Sequence, residues 1–234
     1  MVAVGCVILA AGLGTRMRPL TDNMPKPMVN VLGKPLIGYV LDMVQQINCK
    51  SVVMNIHYKP ETLVDYVNEY YPFVQISDET DILLDSGGGV AKALPFITED
   101  YLFVINSDCI WHSDINPLMQ LLKVFQPETM DVLKLLYPSQ EAIGFDEKNL
   151  YDLDPQGRIL QGHDGEKQYS FTGIQIVKKS LFESYGISPF SIREIWKTVA
   201  GQHRFYGVPF VGEWYHIGTP EAVLQTEQNL VHKL

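Results

Sequence analysis

Apolar runs alternate with segments of helical periodicity along the first half of the sequence. Val2–Leu9 is a continuous apolar run, which is the pattern expected of a strand covered on both faces. In Pro35–Ile47 the apolar residues recur every three or four positions and fall on one helical face, and Glu61–Tyr70 is amphipathic in the same way. This alternation of strands and helices predicts an α/β fold with a mostly parallel sheet and helices on both faces.

The remaining elements follow from the same periodicities. Further strands are predicted at Ser51–Ile56, Phe73–Ile76, Tyr101–Ile105, Met130–Leu136, Phe171–Val177 and Phe205–Val211, and further helices at Gly88–Leu94, Pro117–Phe125, Ile192–Ala200 and Thr219–Leu230. Leu150–Leu153 and Arg158–Gln161 flank a turn sequence and predict a hairpin. The pattern after residue 138 is therefore more mixed than the pattern before it.

The composition limits the partners and the compartment. Hydrophobic residues make up 46% and charged residues 19% of the 234 residues, so a large core can form. No apolar run approaches the ~18 residues of a membrane span, and a net charge of −9 argues against a general nucleic-acid binder, though not against a basic pocket for a small anion. Met1–Ala11 lacks the basic start of a signal peptide, and Cys6, Cys49 and Cys109 are widely spaced, as in a cytoplasmic protein.

A glycine-rich loop follows the first strand and is the first candidate for chemistry. Gly12 and Gly14 resemble the start of a dinucleotide fingerprint, but its third glycine would fall at Met17. A Walker A loop is also excluded, because no Gly-Lys-Ser/Thr follows. For the glycines alone, a phosphate-binding loop and an ordinary turn at a strand exit are evenly balanced interpretations.

Cations beside this loop favour the phosphate-binding interpretation. Arg16 and Arg18 lie within the loop, and Lys26 follows in the stiff sequence Pro25-Lys26-Pro27. Small residues let the backbone approach a ligand, and amides together with fixed cations hold a polyphosphate. We therefore expect this part of the chain to bind a nucleotide through its phosphates.

The sequence Leu-Ala-Ala-Gly-Leu-Gly-Thr-Arg-Met-Arg-Pro-Leu-Thr at residues 9–21 resembles the signature of the sugar-1-phosphate nucleotidylyltransferases. The likeness continues at Pro25–Met28, Gly33–Leu36, Asp85–Gly89, Asn106–Asp108 and Gly218–Glu221. The length and the Ser-Gly-Gly-Gly…Lys-Ala-Leu-Pro run are most similar to the N-acetylmuramate-1-phosphate uridylyltransferase branch. The resemblance implies a Rossmann-like fold in one domain, with a nucleotide-binding half at 1–138 and a sugar-binding, closing half at 139–234.

The resemblance also implies a reaction and roles for the loop residues. The phosphate of a sugar-1-phosphate would attack the α-phosphorus of an NTP, with UTP indicated by the branch, and pyrophosphate would leave without a covalent intermediate. Arg16 would meet the β- and γ-phosphates and Lys26 the α-phosphate, as catalytic residues. The nucleotide-binding residues would be Ala10, Ala11, Gly12, Gly14, Thr15, Gly87 and Gly88. Gly87 and Gly88 would let a base and ribose lie against the backbone, although a glycine run can also merely permit a turn.

Asp108 is the expected metal ligand. It follows an apolar strand, at the edge where open α/β sheets place ligands, and its carboxylate suits Mg²⁺. The second aspartate of the resembled family is here His216, and imidazole suits Mn²⁺ better than Mg²⁺. Three consequences are open: metal held by Asp108 and phosphates alone, which we favour, a softer metal preference, or lost catalysis.

The sugar site is the least defined part of the sequence. The closest matches to the sugar-phosphate contacts of the resembled family are Glu166, Lys167, Thr172 and Gly173, although the spacing is shorter and an asparagine is missing. Lys167 is equally consistent with an ordinary loop cation. Lys92 would face either the phosphates or solvent. The three tryptophans, Trp111, Trp196 and Trp214, are expected in the core or a pocket wall.

These expectations describe a cytoplasmic nucleotidyltransferase of cell-wall sugar-nucleotide synthesis, acting as a monomer or small homo-oligomer. Its partners would be an NTP and a sugar-1-phosphate, with no nucleic acid and no membrane. Two alternatives stay open. One is a catalytically weakened regulatory protein that binds a nucleotide or NDP-sugar, because of His216. The other is a cytidylyltransferase acting on phosphocholine.

Overall fold

The computed structural model describes residues 2–143, 150–160, 168–200 and 202–233. The strands are β1 (Val4–Leu9), β2 (Asn30–Val31), β3 (Lys34–Pro35), β4 (Val52–Ile56), β5 (Gln75–Asp78), β6 (Tyr101–Asn106), β7 (Cys109–His112), β8 (Val132–Pro138), β9 (Leu150–Tyr151), β10 (Tyr169–Lys178), β11 (Phe205–Pro209) and β12 (Glu213–His216). The helices are α1 (Leu36–Gln45), α2 (Glu61–Tyr70), α3 (Asp85–Ala93), α4 (Pro117–Val124), α5 (Arg193–Ala200) and α6 (Pro220–Leu230).

The central sheet has the strand order β11–β8–β10–β6–β1–β4–β5, with β9 paired to β10. Strand β1 lies between β4 and β6 and is parallel to both, and β5 continues the parallel arrangement beyond β4. Strand β10 runs antiparallel to its neighbours β6 and β8, while β11 is parallel to β8. The predicted mostly parallel sheet is therefore confirmed.

Helices cover both faces of this sheet because alternate residues of a strand point to opposite sides. Cys6 and Ile8 of β1 join a core with apolar residues of α1, α2 and α4. Val7 points the other way and packs with apolar residues of α3 and α5. Within the described ranges, no helix is both long and apolar enough to span a membrane.

Three differences from the predicted elements concern the site. Helix α3 begins at Asp85 rather than Gly88, because tertiary packing overrides the low helix propensity of glycine. Strands β7 and β12 were not predicted, since each is four residues long and only partly apolar. The predicted hairpin is reduced to a tight turn closed by a bridge between Leu153 and Ile159, and β9 pairs with β10 instead.

A partly buried ion pair connects the starts of β8 and β11. The Asp131 carboxylate, whose side chain is 8% exposed, accepts hydrogen bonds from Arg204 Nε at 2.7 Å and Nη2 at 3.0 Å. The same guanidinium donates to the carbonyls of Pro127 and Glu128, and Lys178 Nζ lies 3.6 Å from the carboxylate. Because the backbone amide of Asp131 also donates to the Arg204 carbonyl, this pair fixes where both strands begin.

We expect Asp131→Ala to lower the free energy of unfolding by about 3 kcal/mol, since it leaves the Arg204 guanidinium without its carboxylate in a partly enclosed position. Urea denaturation with an unchanged m-value measures this loss. Glu194→Ala is the matched control: its carboxylate pairs with Lys197 in solvent, and its removal should cost less than about 1 kcal/mol. Equal losses of unfolding free energy in the two variants would contradict a stabilising role for the Asp131–Arg204 ion pair.

Candidate active site

Two adjoining cavities open at the edge of the sheet where β1 and β6 end. One has a volume of about 660 Å³ and the other about 410 Å³. Both are lined by a common set of residues at their junction, namely Leu9, Asp85, Ser86, Asn106 and Asp108. A cavity of about 880 Å³ lies against the turn at 154–157 and β11, and within the described part of the chain its walls include none of the predicted site residues. The two cavities at the sheet edge therefore define the candidate active site.

Three predicted residues from distant parts of the chain meet at the junction. Lys26 Nζ donates a hydrogen bond to Asp108 Oδ2 at 2.7 Å, and His216 Nε2 lies 3.5 Å from the same oxygen. Pairing of β7 with β12 brings His216 opposite Cys109, and the amide of Ile217 donates to the Asp108 carbonyl. The two short strands that the sequence did not predict are thus what place the predicted metal ligands side by side.

The environment of Asp108 keeps its carboxyl group ionised. Enclosure alone would raise the pKa of Asp108, but the Lys26 ammonium and the hydrogen-bonded His216 imidazole outweigh it. The net effect holds the pKa well below its usual range, as opposite charges at short distance do. Asp108 therefore presents a fixed negative charge to both cavities.

The donor set at Asp108 fits a metal that completes its coordination with other oxygens. Among the described residues, no group of three or more histidine, cysteine or acidic side chains is arranged to hold a metal ion. Asp108 supplies a hard oxygen, and Mg²⁺ commonly takes few protein oxygens and fills its sphere with phosphates and water. The His216 ring stacks on Trp214 at 6.2 Å between centroids, and a Cβ on Gly218 would lie 2.9 Å from that ring. Gly218 thus leaves the space that the imidazole occupies.

The glycine-rich loop is held by a buried asparagine. Asn55 Oδ1 accepts hydrogen bonds from the amides of Ala10 at 2.6 Å and Ala11 at 3.2 Å. Ala10, Ala11 and Gly12 line the smaller cavity, as predicted for residues near a nucleotide. The amides of Ala10 and Ala11 are thus already hydrogen-bonded within the protein.

Asn55 passes this restraint on to the segment before α3. Its Nδ2 donates to Glu79 Oε1 at 2.8 Å, and Glu79 Oε2 accepts the amide of Leu84 at 3.2 Å. Burial raises the pKa of Glu79 although both hydrogen bonds act to lower it. A Cβ on Gly89 would lie 2.6 Å from Asn55 Nδ2, so glycine is required where α3 passes this network. Both loops that face the smaller cavity are consequently positioned by one polar network.

The other predicted loop residues divide into two groups. Arg16 lines the larger cavity, and among the described residues its guanidinium has no hydrogen-bond acceptor, so it can meet a ligand. Gly14, at φ +63°, shapes the loop instead, because its carbonyl accepts the Thr21 hydroxyl at 2.8 Å and it packs on Lys26. Thr15 begins a short 3₁₀ turn, and neither it nor Gly14 is among the described lining residues of the two cavities.

Gly87 and Gly88 pack closely against another segment of the chain. A Cβ on Gly87 would lie 2.3 Å from the Phe190 ring, and one on Gly88 would lie 2.2 Å from the Ser188 carbonyl oxygen. The amides of both glycines donate to the Phe190 carbonyl, at 2.9 and 3.2 Å. These glycines therefore leave space for the protein's own segment 188–190, and neither is among the described residues that line the two cavities.

The sugar-site predictions have mixed outcomes. Gly173 lines the larger cavity at φ +91°, where a Cβ would meet Asn106 at 3.1 Å. Thr172 does not contact this cavity, because it is fully buried and its hydroxyl donates to the Leu135 carbonyl at 3.0 Å. Glu166 and Lys167 lie outside the described residues.

Several wall residues of the larger cavity were not predicted from the sequence, namely Tyr151, Phe171, Gln175 and Arg193. Trp196 and Trp214 line it, as expected of pocket-wall residues. Behind the wall lies Lys134, a lone lysine in the apolar strand β8, and that isolated charge is the signal from which it could have been found. Lys92 instead donates to the Asp78 carbonyl.

Comparison with known proteins adds independent information. A family model described as nucleotidyl transferase matches residues 5–146. The chain is 34% identical over 231 residues to an N-acetylmuramate alpha-1-phosphate uridylyltransferase of Caulobacter vibrioides, covering 96% of each protein. It is 29% identical to a protein of the same name from Neisseria meningitidis, covering 91% of this chain and 92% of that one. HddC from Yersinia pseudotuberculosis superimposes with a TM-score of 0.75 at 21% identity, covering 97% of this chain and 99% of that chain, and so shares the fold.

We expect Gly88→Ala to destabilise the protein by about 1–3 kcal/mol, because the new methyl group would overlap the Ser188 carbonyl in a packed region. Thermal unfolding followed by circular dichroism measures the change. Gly12→Ala is the control, since no described atom lies within 4 Å of its added Cβ. An unchanged unfolding temperature for Gly88→Ala would show that segment 188–190 does not rest on this glycine.

Proposed function

Because this chain belongs to the nucleotidyl transferase family, we propose that it transfers a uridylyl group from UTP to N-acetylmuramate α-1-phosphate, releasing pyrophosphate and forming a UDP-sugar. The observation that carries the proposal is the ionised Asp108 beside Lys26 at the junction of two cavities. The names of the two full-length relatives support the acceptor and the base.

The two cavities supply the two substrate sites. The smaller one, lined by residues between Leu9 and Asp108, takes the nucleotide, in keeping with a nucleotide-binding half at 1–138. The larger one, whose walls include Tyr151 and Trp196, takes the sugar, in keeping with a closing half at 139–234. The α-phosphate then lies at the junction, where the acceptor phosphate reaches it from the larger cavity.

The side chains at the junction act by positioning and by neutralising charge. The Lys26 ammonium stabilises the negative charge on the α-phosphate during attack, and the Arg16 guanidinium binds the pyrophosphate that leaves. Since the amides of Ala10 and Ala11 are bonded to Asn55, these two cations do most of the phosphate binding. No covalent intermediate is required, because the acceptor phosphate is itself the nucleophile.

Asp108 and His216 are the residues that would hold a divalent cation. Asp108 would contribute the carboxylate oxygen, and Mg²⁺, or Mn²⁺ with the imidazole of His216, would neutralise phosphate charge when bound. Asp108 also holds Lys26 in place, so it orients the ammonium as well as any metal. In this proposal the protein works in the cytoplasm with small substrates, as a monomer or small homo-oligomer.

The first test is pyrophosphate release from each of the four NTPs against a panel of sugar-1-phosphates, in Mg²⁺ and then in Mn²⁺. We expect UTP with N-acetylmuramate α-1-phosphate to give the highest kcat/KM. Measurable UTP binding without pyrophosphate release for any pair would instead indicate a regulatory nucleotide-binding protein.

We expect Asp108→Asn to reduce kcat by about 100- to 1000-fold without unfolding the protein, since it removes the fixed negative charge that orients Lys26 and any metal. Steady-state kinetics and circular dichroism provide the two readouts. Asp42→Asn is the matched control: Asp42 also pairs with a lysine, Lys34, but lies outside both cavities, and activity should stay within about twofold. Near-normal turnover of Asp108→Asn would refute its role.

We expect His216→Asp to raise the ratio of Mg²⁺-supported to Mn²⁺-supported kcat/KM by about tenfold, because a second carboxylate replaces the softer imidazole beside Asp108. Activity titrated with each metal measures the ratio. His232→Asp makes the same exchange at an exposed position after α6 and should leave the ratio unchanged. A ratio unaffected by His216→Asp would place His216 outside the metal site.

A further inference from the structure

A lysine is enclosed by four aromatic rings behind the wall of the larger cavity. Lys134 is fully buried in β8, with its Nζ 3.1 Å from the ring centroid of Trp196. The ring centroids of Tyr151, Phe171 and Phe205 lie 4.2, 4.5 and 5.1 Å from the same atom. The rings of Phe171 and Trp196 meet at 77° and those of Tyr151 and Phe205 at 84°, so the four form a box rather than a stack. We call these four rings the aromatic cage.

The buried Lys134 amine is stabilised mainly by its contacts with these rings. Among the described residues, its hydrogen-bond partner is the Tyr151 hydroxyl at 2.6 Å, and no carboxylate pairs with it. Burial lowers the pKa of Lys134, and the nearby charge of Arg193 lowers it further. A cation over ring faces is stabilised by the negative potential of the π systems, which explains how the group is tolerated here.

The aromatic cage also forms part of the substrate-binding surface. Tyr151, Phe171 and Trp196 each line the larger cavity, while Lys134 lies behind them. Trp196 Nε1 donates to Gln175 Oε1 at 2.9 Å, which fixes a polar wall residue next to the cage. A ligand in this cavity therefore meets three of the four rings that surround the Lys134 amine.

We propose that Lys134 is a specificity-determining residue that occupies the aromatic cage and so excludes acceptors bearing a quaternary ammonium group, such as phosphocholine. The proposal rests on the acceptor site assigned above to the larger cavity. Aromatic cages of this kind bind quaternary ammonium groups when they are empty. With Lys134 in place, its amine fills the space between the ring faces, so the cage cannot take such a group. Hydroxylated acceptors, which do not need the cage, can still bind in the larger cavity.

The test uses Lys134→Ala, which empties the cage, and two probes of the same shape: choline and its uncharged isostere 3,3-dimethyl-1-butanol. Binding is measured by calorimetry and by the shift in unfolding temperature. We expect choline to bind Lys134→Ala at least about tenfold more tightly than the wild type, and about tenfold more tightly than the alcohol. Lys134→Met, which refills the cage with an uncharged chain, should bind neither probe.

Two outcomes would overturn the proposal. One is equal choline affinity in the wild type and Lys134→Ala, and the other is equal affinity of Lys134→Ala for choline and the alcohol. Should Lys134→Ala fail to fold alone, choline added during refolding should restore folded protein, because a ligand that binds only the native state stabilises it. Failure of choline to do so while Lys134→Met folds would also refute the proposal.

A turnover measurement extends the test to the acceptor. With UTP, the ratio of kcat/KM for phosphocholine to that for the sugar-1-phosphate should rise at least about tenfold in Lys134→Ala relative to the wild type, and an unchanged ratio would refute the specificity role. Absence of turnover with any acceptor in the wild type would refute the proposed function instead. In that case, the choline-binding comparison would still show whether removal of Lys134 lets the cage bind a quaternary ammonium group.

Discussion

The candidate site depends on keeping one carboxylate ionised in a partly enclosed position. Removing a carboxylate from water disfavours its charged form, and here Lys26 and His216 offset that cost for Asp108. The three residues come from the loop after β1, the end of β6 and the end of β12, so none of these segments holds the charge alone. The pairing of β12 with β7 therefore also places the third charged or polar group that the Asp108 carboxylate needs.

A second constraint explains which groups are left to bind phosphate. A buried amide without a partner is costly, and Asn55 satisfies those of Ala10 and Ala11 before any ligand arrives. The loop after β1 is thereby rigid and polar but has few free donors at its start. Phosphate recognition in the proposed function consequently falls to Arg16 and Lys26, whose charges do not depend on the loop changing shape.

The sequence predicts the parts of this molecule in which local pattern and tertiary structure agree. The strand–helix order follows from apolar runs, and Asp108 could be placed near the edge of the sheet because it lies shortly after one of them. Glycine runs are harder to interpret, because they indicate that another group approaches the backbone closely but do not identify that group. At Gly88 the group is the carbonyl of Ser188, one hundred residues away in sequence. Thr172 is a related case: it lies at a register shift between β10 and β8 that the sequence pattern does not reveal, and its hydroxyl donates to the Leu135 carbonyl.

Two basic residues near the larger cavity, Arg16 and Lys134, differ in their exposure to solvent, in a chain whose net charge is −9. This difference in exposure gives them different functions. A guanidinium is planar, weakly hydrated and able to bind two phosphate oxygens at once, which suits the exposed Arg16. Lys134, in contrast, is fully buried, its amine lies among four aromatic rings, and it lines neither cavity, so it does not meet a phosphate. The larger cavity is therefore cationic where Arg16 is exposed and aromatic along the wall formed by Tyr151, Phe171 and Trp196.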